Sequence, residues 1–266
     1  MNEKVLLLIV MLFSGNILFA QSPDPNFHIY LLMGQSNMAG RGKITDEFKN
    51  IQHVNLQMLD SNYKWVQAKH PLHFDKPKVA GVGPGLSFGI AMAQNSPSVK
   101  IGLVPCAVGG TSINKWSPGV YDKATNTYPY DDAVKRIREA MKYGVVKGVI
   151  WHQGGADRNH ADTYLEKLTT FINRIRTLVN NPQLPFVAGE LGIFKLQSEN
   201  ININNVLKEL PQSVTNTAVA SSEGLKDKGD ATHFDSSSAD ELGKRFAEKM
   251  IALQAEQQSN IKKTKK

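Results

Sequence analysis

Short apolar runs recur along the chain with room for a helix between most of them. His28–Met33 (HIYLLM), Lys100–Pro105 (KIGLVP), Gly148–Gln153 (GVIWHQ), Pro185–Leu191 (PFVAGEL) and Thr217–Ser222 (TAVASS) have the length of short buried strands. Between 162 and 178, Leu165, Leu168, Phe171, Ile172, Ile175 and Leu178 recur at intervals of three and four, which is one face of a helix. Val134, Ile137 and Met141 do the same within 132–141. A last helix is predicted from Ser238, with Glu241 completing a capping box and Leu242, Phe246, Met250 and Leu253 along one side.

Strands alternating with helices at this spacing predict βαβ units. The fold class is α/β, with a mostly parallel sheet covered on both faces. The stretch from about 43 to 85 breaks the rhythm. VNLQMLD and YKWVQA read as a hairpin, and HPLHFDKPKVAGVGPG follows as a loop rich in proline and glycine. This is a long insertion after the first strand, expected near the ligand face. There is no internal repeat and no linker, so a single domain is expected.

The composition, 41% hydrophobic and 21% charged over 266 residues, is that of an ordinary globular protein with an ample core. A single cysteine, Cys106, rules out an internal disulfide. The net charge of +7 comes partly from the terminal IKKTKK, and residues 256–266 read as a basic, disordered tail. Elsewhere acids and bases are mixed and no basic stripe carries interleaved aromatics, which argues against nucleic acid as a partner. Residues 1–20 have an early lysine, an apolar run from Val5 to Phe13 and a small residue at Ala20. That is the layout of a cleaved secretory signal. The expectation is one domain over 21–255, exported to the periplasm or the medium, without stable membrane insertion.

In an open parallel sheet, ligands bind beyond the carboxyl ends of the strands. The segments that follow the predicted strands are GQSNMAG, CAVGGTSINKW, HQGGADRN and, past a charged loop, GDATHFD. Four polar, glycine-rich pieces therefore converge on one rim. Ser36 is the candidate nucleophile and needs a base to take its proton. His233 is the candidate base, and Asp230, three residues earlier, can hold its other ring nitrogen. The backbone N–H groups of Ser36 and Gly110 and the side-chain amide of Gln153 are the expected oxyanion donors. Gln35 and Asn37, flanking the serine, and Trp116 are the expected substrate contacts. The elbow G-x-S-x-G of the α/β-hydrolases is absent, because Met38 stands two residues after Ser36. No metal or cofactor is called for: His152, Asp157 and His160 do not have the spacing of a known zinc site.

These blocks resemble the SGNH (GDSL-like) hydrolases. They look closest to the sialate O-acetylesterase-like branch that includes acetylxylan esterases of carbohydrate esterase family 6. The resemblance rests on GQSNMAGRG, GPGLSF, IGLVPCAVGGTSINKW, VIWHQGGAD and SSEGLKDKGDATHFD, and it covers nearly the whole chain beyond the leader. It implies a flavodoxin-like three-layer α/β/α sandwich and removal of O-acetyl groups from sugars. It also implies Ser36, His233 and Asp230 as the catalytic set, with Gly110 and Gln153 at the oxyanion. One departure stands out: the family's third block reads HQGESD, where this chain has Gly155 and Ala156 in place of Glu and Ser. In relatives that glutamate supports the histidine; here Asp230 is left to orient it.

The function implied is acetylxylan-type deacetylation of carbohydrate, with an acetylated polysaccharide or sugar as the partner. Three alternatives stay open at this point: a sialate O-acetylesterase, another short-acyl SGNH esterase, and a weakly active or purely carbohydrate-binding relative.

Overall fold

The computed structural model describes residues 22–195 and 198–264. The segment 1–20, read as an export signal, lies outside them. The elements run β1 (Asp24–Gly34), α1 (Ser36–Ala39), α2 (Asp46–Lys49), β2 (Leu56–Leu59), β3 (Trp65–Gln67), α3 (Gly85–Asn95), β4 (Lys100–Pro105) and α4 (Pro129–Ala140). They continue with β5 (Gly144–His152), α5 (Tyr164–Leu178), β6 (Phe186–Gly189), α6 (Asn200–Ser213), β7 (Thr217–Ala220) and α7 (Ser236–Thr264).

The strands form one sheet in the order β3-β2-β4-β1-β5-β6-β7. All neighbours are parallel except β2 and β3, the expected antiparallel hairpin. Without that hairpin the order is β4-β1-β5-β6-β7, the flavodoxin-like pattern, with β1 at the switch point. Successive β1 side chains alternate between two cores. Ile29, Leu31 and Met33 join the core under α4, α5 and α6, and Tyr30 and Leu32 join the one under α3 and α7. This double burial explains why the β1 pattern is a continuous apolar run and not an alternation. The result is the three-layer α/β/α sandwich.

Three expectations are corrected. The hairpin extends the sheet edge beyond β4; only the chain after it returns to the rim, where Asp75 accepts the Gly109 N–H at 2.8 Å. The cap of α7 is Asp235, whose Oδ1 accepts the Ser238 N–H at 2.7 Å, while Ser238 Oγ accepts the Lys226 N–H at 2.8 Å. A shorter-reaching carboxylate just outside the helix thus replaces the predicted Ser238–Glu241 box. Finally, α7 runs on to Thr264, so the expected disordered tail is helical from 256 to that point. Helices α3 and α6 were not singled out by pattern. Gly85, Gly89 and a run of small residues dilute the signal in α3, and α6 carries several asparagines and Pro211.

His70, His73 and His152 are buried at 8%, 3% and 0% exposure. Burial pushes each down from the usual 6.5 to about 4. For His73 the nearby Asp75 opposes the shift, while Arg136 and Arg41 reinforce it. The folded state keeps these rings neutral where the unfolded chain protonates them. Stability is therefore full above about pH 6.5 and falls on acidification towards 4, by up to roughly 1.4 kcal/mol per pH unit for each ring. We expect the urea midpoint to drop clearly between pH 7.5 and pH 5; a midpoint flat across that window contradicts the neutral rings.

Candidate active site

Strand β1 can stay against β5 to its very end because residue 34 is glycine. Gly34 has φ +130°, and a Cβ there would lie 2.2 Å from the His152 carbonyl oxygen. The Gln35 N–H then donates to that oxygen at 2.9 Å, and the chain turns directly into α1. Ser36 is the first residue of α1, so its N–H has no intrahelical acceptor. Its side chain is half-buried at the rim.

His233 meets that serine from the far end of the chain. Ser36 Oγ and His233 Nε2 are 3.0 Å apart, and His233 Nδ1 and Asp230 Oδ2 are 2.7 Å apart. Asp230 Oδ1 also accepts the N–H groups of His233 at 2.8 Å and Thr232 at 3.0 Å. Partial burial works to raise the Asp230 carboxyl, but the bonds from the His233 ring and the two N–H groups outweigh it and hold the group down at about 2. With Nδ1 donating to Asp230, Nε2 is left to accept the serine hydroxyl. That is the arrangement in which an imidazole can take the proton of an attacking oxygen.

The loop that presents His233 is held on both sides. Asp227 Oδ2 accepts the N–H groups of Gly229 at 2.9 Å and Ala231 at 2.6 Å, with Ala231 at φ +54°. Asn37 then grips the residues either side of the imidazole: its Nδ2 donates to Thr232 O, and its Oδ1 accepts the Phe234 N–H, each at 3.1 Å. Asn37 is thus a clamp for the loop, with its amide nitrogen and oxygen both engaged there.

On the other side of Ser36 lies the Gly109–Gly110 turn. A Cβ on Gly109 would fall 2.5 Å from Arg41 Nη2 and 3.3 Å from Ser36 Cβ. Gly110 is exposed at φ +91°, and its N–H has no acceptor among the described residues. Asp75 and Arg41 pin the turn. Asp75 Oδ2 accepts the Gly109 N–H at 2.8 Å and pairs with Arg41 Nη2 at 2.7 Å, and Arg41 Nη1 donates to Gly40 O at 2.8 Å. Burial acts to raise the Asp75 carboxyl, yet the Arg41 bonds and charge, with the Gly109 N–H, hold it below the ordinary range.

Two expected contacts are not where the pattern put them. Gln153 is wholly buried, and its Nε2 donates to Asp157 Oδ2 at 2.6 Å and Thr111 O at 3.0 Å, while its Oε1 accepts the Tyr164 hydroxyl at 2.9 Å. Both donors are spent inside the protein, so the amide does not face an oxyanion. Trp116 is 1% exposed, packed edge-on against Trp151 and Phe171, with Nε1 bonded to Thr111 Oγ1 at 3.2 Å. It belongs to the core and forms no sugar platform. Gln35 does stay at the rim, its Nε2 3.1 Å from where a Gly155 Cβ would stand.

Sequence reasoning missed Asp75, Arg41 and the role of Asp157. Asp157 accepts the Ser112 hydroxyl at 2.7 Å, the Ile113 N–H at 2.9 Å and the Gln153 amide, tying the second block to the third. The available signal was Arg41 itself. An arginine among the small residues of the serine block calls for a carboxylate, and Asp75 sits in the insertion expected near the rim.

Residues 26–252 match the family model described as carbohydrate esterase, sialic acid-specific acetylesterase. The chain belongs to this carbohydrate esterase family. A probable carbohydrate esterase of Arabidopsis thaliana is 32% identical over 254 residues, covering 87% of this chain and 93% of that protein. The X-ray structure of an Arabidopsis thaliana protein at 1.6 Å resolution superposes with a TM-score of 0.73 at 31% identity, covering 86% of this chain and 99% of the other. NanS superposes at 0.68 with 18% identity over 88% of this chain and 99% of that one. XAC1771, a carbohydrate acetylesterase from Xanthomonas citri, superposes at 0.63 with 20% identity over 82% of this chain and 55% of that one. At these lower identities the likeness is one of fold.

For this family member the clamp makes a direct prediction. Asn37→Ala frees the loop carrying His233, and a displacement of about 1 Å there is expected to cost roughly 10²-fold in turnover of 4-nitrophenyl acetate, with KM changed far less. Equal turnover in variant and wild type contradicts the clamp. Gly109→Ala is expected to lower the melting temperature as well, because its methyl meets the buried Arg41–Asp75 pair.

Proposed function

We propose that this protein is a serine esterase that removes O-acetyl groups from carbohydrate through an acetyl-Ser36 intermediate. The observation that carries the proposal is the continuous Ser36–His233–Asp230 contact, with spacings of 3.0 and 2.7 Å between residues distant in the chain. Membership in a carbohydrate esterase family supports the substrate class.

In the proposed reaction, His233 Nε2 takes the Ser36 proton as Oγ attacks the acetyl carbonyl. The Ser36 and Gly110 N–H groups receive the developing oxyanion, and each such donor is typically worth about 3 kcal/mol of barrier. Gln153 has no part in this step. Collapse of the adduct expels the sugar oxygen, which takes the proton back from His233. A water activated by the same ring then attacks the acetyl-serine and releases acetate. Asp230 holds the ring and its charge throughout. With its carboxyl held down at about 2, it stays ionised across the mildly acidic range.

Asp230 alone does the orienting, because Gly155 stands where the resemblance leads one to expect a glutamate. Acetylxylan-type activity is the sequence expectation; the sialic acid-specific description of the matching family supports the sialate reading. Acetate release from acetylated xylan and from O-acetyl sialic acid, measured side by side, separates them. Ser36→Ala is expected to release none from either. Asp230→Asn is expected to lower kcat by roughly 10³- to 10⁴-fold without unfolding the protein. Acetate release by Ser36→Ala at the wild-type rate refutes the proposal.

A further inference from the structure

Beside Ser36 and His233, a small cleft of ≈ 80 Å³ opens along Gly155. Gly155 forms part of its wall, with Gln35 and Thr232, the immediate neighbours of Ser36 and His233, on the inner side. Arg158 lies along it and donates to the Gly155 carbonyl at 3.1 Å. Asn37, Leu191, Gly192 and Asn200 complete the lining.

Asn200 is the feature that gives the cleft a chemistry. The residue is 6% exposed, and its Nδ2 is fixed on the Gly192 carbonyl at 2.9 Å. That bond sets the orientation of the carboxamide and leaves Oδ1 buried with no partner among the described residues. A buried carbonyl without a donor is costly, and such a site invites a donor. The Gln35 Nε2 faces the gap at Gly155 and supplies N–H donors. No acidic side chain among the described residues lines the cleft.

We infer that this cleft is a substrate subsite for a hydroxyl next to the acetyl ester, read by Asn200 Oδ1 as acceptor and by Gln35 Nε2 as donor. The inference rests on the esterase reading above and adds to it the group that the site recognises. The chemistry selects among occupants. A hydroxyl gives and accepts hydrogen bonds and satisfies both walls. A carboxylate only accepts, and would turn a negative oxygen towards Asn200 Oδ1. An ammonium only donates, and would leave the Gln35 N–H donors without an acceptor. An apolar group would leave Asn200 unsatisfied. The volume holds little more than a hydroxyl or a hydroxymethyl group, about two to three waters' worth of liquid volume.

The test uses the full chain with 4-nitrophenyl acetate, methyl mono-O-acetyl-glucosides and the monodeoxy analogues of those glucosides. For the wild type, loss of one hydroxyl next to the ester is expected to lower kcat/KM at least tenfold, because a site built to bond a hydroxyl rejects the analogue lacking it. In Asn200→Leu that discrimination is expected to shrink below threefold. Gly155→Val fills the cleft from the opposite wall and is expected to shrink it too, which covers the case of a misfolded Asn200 variant. A wild type indifferent to every deoxy analogue overturns the subsite. So does an Asn200→Leu protein that loses the same factor on every ester, 4-nitrophenyl acetate included, since that is a purely structural loss. A wild type inert towards all the esters overturns the esterase reading and the subsite with it.

Discussion

The site depends on one constraint: β1 is buried on both faces and pinned between β4 and β5. A strand in that position cannot carry polar side chains along its length, so its first freedom comes at its carboxyl end. There Gly34 keeps the backbone against β5 for one residue longer than any side chain would allow. Ser36 emerges at a defined height and angle, its hydroxyl at the rim and its N–H at the start of a helical turn. The other pieces of the site are placed relative to that fixed point.

Two buried polar assemblies do the placing. Arg41, Asp75 and Gly109 hold the glycine turn on one side of the serine, and Asn37 holds the histidine loop on the other. Neither is an efficient source of stability. Replacing a buried ion pair by apolar groups often costs nothing, while deleting one partner is severe, about 3–5 kcal/mol. Their value is in geometry: each fixes the direction of one backbone segment to within a hydrogen bond. The Gln153–Asp157–Thr111 network does similar work one layer deeper, joining the ends of β4 and β5.

The fold was legible because its signal is collective. Five apolar runs and the amphipathic helices between them determine a parallel sheet almost whatever the loops contain. The pairing of Ser36 with His233 was legible for a related reason: both stand at predicted carboxyl ends, and such ends share a rim. What could not be read was which face of a loop looks inward. Gln153 and Trp116 sit in the right segments, yet their side chains turn into the core. One is drawn by the Asp157 carboxylate and the other by Trp151 and Phe171. Asp75 was hidden because its partner, Arg41, lies 34 positions away across an insertion without periodic pattern. The cap of α7 slipped by a short distance because Asp235 and Ser238 are both good caps, and only the packing of Lys226 decides between them.

Helix α7 gives His233 an unusual mechanical neighbour. It begins three residues after His233 and runs for 29 residues, roughly 44 Å at the standard rise, lying along α3 for part of that length. The loop carrying His233 therefore runs straight into an element fastened along α3, β6 and β7, which leaves that end of the loop little slack.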